Sequence, residues 1–391
     1  MSVDGRERWA LRTFDAGRSF GYPNGPTMPK RFESSLARPR ARFDMARVFA
    51  RLPLAVGVAC LSGLAAQGEA LAASLPLRDV AAFGAYVAGL PYYPDRQLPR
   101  LERMLGTKLE IVSGFVDWDY ILGERRDLRL ADHGRRKLLY SWEPHCKADG
   151  HCIGFQDIAT GKLDGYLEQV AASMKRFPHE IYVRPWAEMN ASWSPYKPGT
   201  GRASAGSVEE FKLAWRHLYA FFRDRGVRNL RFVFNTDAAL EEGDTDIGEI
   251  WPGKEYVDVL GIDGYNWGES GLPGGSRWVE FDGVFGNMYR VLTSLHDSAP
   301  VWICEFGSKE PSKSDGSKAS PAPRDLHHSK ARWIENFMSS TAFPRVEALV
   351  YYNAYTPDRD NQRDFRFESS RKSLQAIRKQ LRLRRRSLSR V

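Results

Sequence analysis

Apolar and polar positions follow two rhythms along this chain. Short, mostly apolar runs recur eight times: Ala81–Val87, Leu109–Phe115, Lys137–Trp142, Glu180–Trp186, Leu230–Asn235, Val257–Ile262, Val301–Glu305 and Glu347–Tyr352. Between them lie stretches with an apolar residue every three or four positions. Leu163–Arg176 carries Leu163, Tyr166, Leu167, Val170 and Met174 in that spacing, and Val208–Arg225 carries Phe211, Trp215, Leu218 and Phe222. Asp282–Leu295, Asp325–Ser339 and Ser370–Leu381 follow the same pattern. The first rhythm is that of buried strands, the second that of amphipathic helices. Strands alternating with helices imply a parallel sheet, and eight such units in about 290 residues predict a (β/α)8 TIM barrel over residues 76–383. The rival, an open doubly wound sheet, usually carries a glycine-rich phosphate turn after its first strand, and none stands there.

A barrel keeps its chemistry at the C-terminal ends of its strands. The unusual residues of this chain fall there: Trp118, Trp142, Glu143, Arg184, Trp186, Glu188, Tyr265, Trp267, Glu305, Tyr352 and Asn353. Glu188 follows the fourth run and Glu305 ends the seventh. Strands three apart in a ring of eight face each other across the mouth, so the two carboxyls are expected to meet. Carboxyls about 5–5.5 Å apart are the geometry of a retaining glycosidase. One must stay ionised, for which Arg184 and the Tyr265 hydroxyl are candidate donors. The other must keep its proton, which burial beside a second carboxylate favours. Trp118, Trp193 and Trp267 come just after strand ends and are expected to face sugar, as is Asn353. Trp186 and Trp302 precede their glutamates and are expected in the core. Glu143 is read as an ion-pair partner of a nearby arginine, and His327-His328 as a solvated helix start.

Composition changes this picture little. The 11 Trp and 16 Tyr suit a carbohydrate site. The net charge of +9 is uneven: nine Lys/Arg and no acid over 371–391, and eleven Lys/Arg against six acids over 1–72, leave the middle of the chain at about −5. Basic ends on a slightly acidic body exclude a nucleic-acid-binding domain, whose positive charge lies on the folded surface. Residues 1–44, rich in Arg, Pro, Gly and Ser, read as disordered or untranslated. Arg47 and Arg51, the apolar run 52–66 and Ala70-Leu71-Ala72 read as a signal peptide over 45–72, which predicts a secreted or periplasmic protein with no stable membrane insertion. Export makes a Cys146–Cys152 disulfide plausible. The neighbouring His145 and His151 offer a zinc site as the rival, but the spacing matches no common zinc pattern, so no metal or other cofactor is expected. Cys304 is left as a buried free thiol. Residues 308–324 read as a polar surface loop after the seventh strand and 384–391 as a basic tail.

The segment Arg184-Pro-Trp-Ala-Glu-Met-Asn-Ala-Ser-Trp193 resembles the R-P-x-H-E-M-N-G-x-W motif of glycoside hydrolase family 26, whose clan carries catalytic glutamates on strands four and seven. The segments VLGIDGYNW and VWICEFGS are similar to that family's sixth and seventh strands, and SWEP with DIATGKLDGYL to its third-strand region. The resemblance covers roughly residues 80–370. It implies Glu188 as acid/base and Glu305 as nucleophile, Tyr265 bound to the nucleophile, Trp193 lining the cleavage subsite, and a polysaccharide as partner of a monomer. The family comprises mainly endo-β-1,4-mannanases, with β-1,3-xylanases and mixed-linkage β-glucanases. Ala187 stands where the family has histidine and Ala191 where it has glycine, which leaves the sugar open. A weakly catalytic glycan-binding relative serving exopolysaccharide assembly or export is the competing reading.

Overall fold

The computed structural model describes residues 75–144, 153–199, 205–240, 243–268, 277–311, 328–356 and 363–389. The extension 1–44, the leader 45–72, both cysteines of the expected disulfide, His327 and residues 312–324 of the expected surface loop lie outside them. Eight parallel strands close into a barrel in chain order: β1 Ala82–Tyr86, β2 Ile111–Asp117, β3 Lys137–Glu143, β4 Ile181–Pro185, β5 Leu230–Asp237, β6 Val259–Asn266, β7 Val301–Ser308 and β8 Val346–Tyr351. The long helices Asp164–Arg176, Val208–Asp224, Phe281–Leu295, Lys330–Ser339 and Arg371–Leu388 fill the connections as the periodicity predicts. The helix Pro94–Leu105 adds a sixth, which its internal Pro99 hides from a periodicity reading. The last helix runs past residue 383 to Leu388. Its Arg384 is buried, with Nη2 2.6 Å from Glu110 Oε2, rather than lying in a solvated tail. His328 precedes the Ser329 cap and stacks 5.1 Å from Trp278.

The strands set up an inside with two storeys. Ile111, Leu139, Tyr182, Val233, Val259 and Trp302 form one apolar cluster drawn from six strands, with Ala348 and Val350 from β8. Two residues on, the same faces carry Ser113, Ser141, Arg184 and Asn235, all buried. Period-2 alternation thus converts an apolar floor into a polar ceiling without any change of fold. Trp302 is 2% exposed and stacks on Tyr182 at 4.2 Å, so it belongs to the core as expected. Trp186 is fully buried between barrel and helices, against Phe155 and Phe211. Cys304 is the expected free, buried thiol. Among the described residues no helix is long and apolar enough to cross a membrane.

Candidate active site

Two local distortions aim the glutamates. After β4 the backbone adopts the left-handed region at Trp186 (φ 54°) and Glu188 (φ 56°), which is uncommon for residues with a side chain and concentrates at functional sites. The bend is held by Glu188 N donating to Asn235 O at 3.0 Å. Asn190 clamps it further: its Oδ1 accepts from Asp237 N at 2.8 Å and its Nδ2 donates to Asp237 O at 3.2 Å. On β7 the register against β6 slips so that Ile262 pairs with Ile303 but Asp263 with Glu305. Cys304 is the extra residue of this bulge. It packs with the apolar floor, and Glu305, directly after it, still turns into the mouth.

The result is a cluster in which single carboxylate oxygens of Glu188, Asp263 and Glu305 all lie within 4.8 Å of one another. Arg184, fully buried, joins the cluster: Nη1 donates to Asp263 Oδ2 at 2.8 Å, and Nη2 to Glu305 Oε1 and to Ser141 Oγ, each at 2.5 Å. Tyr265 donates its hydroxyl to Glu305 Oε2 at 2.7 Å. Burial, then the charge of Glu305, pushes that phenol well above its ordinary range, so it stays a donor. Three carboxylates this close could draw in a cation, but the fixed guanidinium already lies between Asp263 and Glu305; both Glu305 oxygens are engaged by Arg184 and Tyr265, and Asp263 Oδ2 by Arg184 and, at 2.7 Å, Asn235 Nδ2.

One proton has to stay on such a cluster, and its place follows from the neighbours. Burial pushes both Asp263 and Glu188 upward. At Asp263 the charges of Glu305 and Asp237 add to this push, but the guanidinium and the Asn235 amide oppose it. At Glu188 the charges of Asp263, Glu305 and Asp237 push the same way as burial, with only Arg184 against them. Glu188, with the fewest neighbours opposing it, is thus the place for the proton, while Glu305 is bonded by two donors, Arg184 and Tyr265.

The other residues divide. Trp193 stands on the rim, 63% exposed. Its loop is tied down by Ser192 N to Asp244 Oδ1 at 2.8 Å and Thr245 N to Asn190 O at 2.9 Å. Trp267 is half-buried beside Tyr265, ring centroids 5.2 Å apart. Trp118 is corrected: it is 5% exposed, stacked on Trp142 at 4.9 Å and Tyr166 at 5.8 Å, and its indole donates to Trp142 O. Trp118 thus lies under the rim, packed on Trp142 and Tyr166. Asn353, half-buried, uses its Oδ1 to accept from Phe367 N at 2.9 Å beyond β8. Glu143 has no basic partner within ion-pair distance among the described residues, contrary to the expected structural pair. It is register partner of Asp117, and burial, then Asp117, pushes it up to about 7. Sequence reasoning missed Asp263, Asn190 and Tyr86. Tyr86 stacks on Tyr352 at 4.9 Å and is pushed up to about 12 by burial and by Glu305. An aspartate inside the β-like run VLGIDGY was the one available signal for Asp263.

Trp193→Ala is expected to raise KM for a polymeric substrate about tenfold with kcat within about threefold, because an exposed ring that stacks on sugar binds ground and transition states alike. Steady-state kinetics on the polymer check this; an unchanged KM would place Trp193 off the binding path.

Fold and site together define a closed barrel with a paired-glutamate centre, the class in which retaining glycoside hydrolases work. The comparisons agree. Residues 155–274 match the model of glycosyl hydrolase family 26. The chain is 31% identical over 298 residues to an endoglucanase H of Acetivibrio thermocellus, covering 75% of this chain and 30% of that protein. It is 27% identical over 233 residues to a mannan endo-1,4-beta-mannosidase of Bifidobacterium adolescentis, covering 56% of this chain and 22% of that protein. The chain thus spans less than a third of the length of these relatives. Among solved structures it superposes on a Cellulomonas fimi endo-beta-1,4-mannanase (a double mutant) with a TM-score of 0.51 at 17% identity, covering 78% of this chain and 71% of that one. A family 26 beta-mannanase from Bacteroides ovatus gives the same TM-score of 0.51 and identity of 17%, with 78% and 90% coverage. The chain belongs to glycoside hydrolase family 26.

Proposed function

We propose that this protein is a retaining endo-β-glycosidase acting on a β-linked glucan, with Glu305 as nucleophile and Glu188 as acid/base. The observation that carries it is the approach of the Glu188 and Glu305 oxygens to within 4.8 Å, which fits the short carboxyl spacing of about 5–5.5 Å in retaining sites and not the roughly 6.5–9.5 Å of inverting ones. In the first step a Glu305 oxygen attacks the anomeric carbon, the glycosidic C–O bond breaks, and Glu188 gives its proton to the departing oxygen. In the second, Glu188 takes a proton from water, the water oxygen attacks the anomeric carbon, and the ester bond to Glu305 breaks. Arg184 and Tyr265, each bonded to one Glu305 oxygen, hold the nucleophile in place between turnovers.

Glucan is favoured over mannan by the 31% identity to an endoglucanase and by Ala187, which removes the polar group next to the acid/base. A polymer substrate fits the export expected from residues 45–72. The test is reducing-end release from β-mannan, β-1,3-xylan, mixed-linkage glucan and native exopolysaccharide. Cleavage of mixed-linkage glucan is expected. Cleavage of mannan alone would overturn the glucan assignment, and no cleavage of any would leave a glycan-binding relative.

The protonation state makes a pH prediction. A carboxyl whose pKa is raised keeps its proton to higher pH, so kcat/KM should hold through the ordinary carboxyl range and fall as the pH passes the raised value of Glu188. On an activated aryl glycoside, which needs no protonation on leaving, this alkaline limb should flatten in Glu188→Gln. An identical limb in both proteins would assign it to another group.

A further inference from the structure

Tyr265 of β6 lies opposite Gly307 of β7. A Cβ on Gly307 would stand 3.0 Å from the ring of Phe365, so the bare backbone is what lets that ring reach the barrel wall. The Phe365 ring lies 4.9 Å from that of Tyr265 and 5.4 Å from that of Trp267. It is 2% exposed, yet it belongs to no barrel strand or helix. It directly follows the two-residue strand β10, Arg363–Asp364, which pairs with β9, Tyr355–Thr356.

Residues on both sides of the ring are held in place. Tyr351 donates its hydroxyl to Phe365 O at 2.7 Å. Lys330, fully buried, donates from Nζ to the carbonyls of Asp364 at 3.3 Å and Arg366 at 2.5 Å and to Ser369 Oγ at 2.9 Å. Burying an ammonium is costly, and here burial pushes it down to about 8. A methionine would fill the same space without that penalty. What the ammonium supplies, and methionine cannot, is a fixed position for the two carbonyls that flank Phe365.

We propose that Phe365 is a positioning residue: its ring backs Tyr265 and keeps the phenol hydroxyl within reach of Glu305. The inference rests on Glu305 being the nucleophile. Tyr265 can rotate about its side-chain bonds, and its one hydroxyl contact with Glu305 does not by itself fix the ring. With Phe365 on one side, Trp267 at 5.2 Å and Tyr352 at 5.8 Å, the ring has one place to sit.

The test is a cycle of Phe365→Ala, Tyr265→Phe and the double variant in the full chain. Phe365→Ala should lower kcat about tenfold with KM within threefold. It should also move the acid limb of kcat/KM to higher pH, in the same direction as Tyr265→Phe, because losing a donor favours the protonated carboxyl. In the Tyr265→Phe background the same change should cost less than twofold. Losses that multiply, or an acid limb that stays put, would overturn the proposal. Phe365→Leu, which keeps most of the bulk, and Gly307→Ala, which pushes the ring from behind, give two further variants should the alanine protein fold poorly; both should show the same non-additivity with Tyr265→Phe. A crystal structure of Phe365→Ala decides without any assay: the 2.7 Å contact from Tyr265 to Glu305 should open beyond 3.5 Å, and a retained contact refutes the idea. Absence of glycosidase activity in the unaltered protein would sink the functional reading instead, and the crystal structure would still judge this one.

Discussion

Glu305→Ala is expected to reduce glycan hydrolysis by on the order of 10⁴-fold or more, with the fold retained. The size follows from the role. Removing a nucleophile abolishes the covalent route, whereas removing an acid leaves the attack itself possible. Glu188→Ala should therefore fall by a similar factor on a polymer but far less on an aryl glycoside whose leaving group departs unprotonated. Added azide separates the two. In Glu305→Ala it enters the vacated space and attacks the anomeric carbon directly, giving a glycosyl azide of inverted configuration. In Glu188→Ala it attacks the glycosyl ester and gives one of retained configuration. Product configuration by NMR reads this out. The opposite pairing would exchange the two assignments, and full activity in either variant would remove that residue from the chemistry. Glu143→Ala is the informative control. Its carboxyl, pushed up to about 7 at the same rim, marks it as a fourth acid close to the centre, yet it stands outside the cluster of Glu188, Asp263 and Glu305.

The barrel was legible because both of its periods are local. Runs buried on both faces and helical stripes announce themselves within ten residues, and eight such runs with five helical stretches between and after them leave few topologies. Strand ends were less so. The sixth run was read as ending at Ile262 and the seventh at Glu305, whereas β6 reaches Asn266 and β7 reaches Ser308. The glycines of β6 are there for close packing: a Cβ on Gly261 would fall 2.6 Å from Asn235 Oδ1, and one on Gly264 would fall 2.8 Å from Val284. The bulge at Cys304 was not legible either, since a period of two cannot reveal a single inserted residue. It matters all the same, because without it Cys304 and Glu305 would face opposite ways.

Within the site, residues whose place is set by sequence position come together: Glu188, Glu305, Arg184 and Tyr265 meet at the barrel mouth. Residues whose role is set by direction were not. Trp118 and Trp267 both follow a strand by one residue. One turns under the rim against Trp142, and the other stays half-buried beside Tyr265. Nothing in the spacing distinguishes them. Asn353 and Asp263 show the same limit from opposite sides. The first sits at a strand end and serves the backbone, while the second is inside a strand and serves the cluster.

Arg184→Met should have the largest effect on stability, a loss of about 3–5 kcal/mol. The guanidinium is fully buried and bonds Asp263, Glu305 and Ser141 at once. Methionine fills the volume but leaves two buried carboxylates facing each other without a counter-charge. Lysine would not restore the arrangement, because one point charge cannot bridge three acceptors as a planar fork does. The remedy available to the variant is to bind protons, so its stability should recover more steeply as the pH falls than that of the unaltered protein, in which the raised Glu188 and Asp263 give a smaller gain in the same direction. Urea unfolding at neutral and mildly acidic pH measures both terms. Asp263→Asn added to Arg184→Met removes one of the stranded charges and should regain part of the loss at neutral pH, a coupling that independent sites would not show. If Arg184→Met unfolds at the same urea concentration as the unaltered chain, the guanidinium is not what holds the carboxylates together, and the assignment of the proton to Glu188 rather than Asp263 loses its basis.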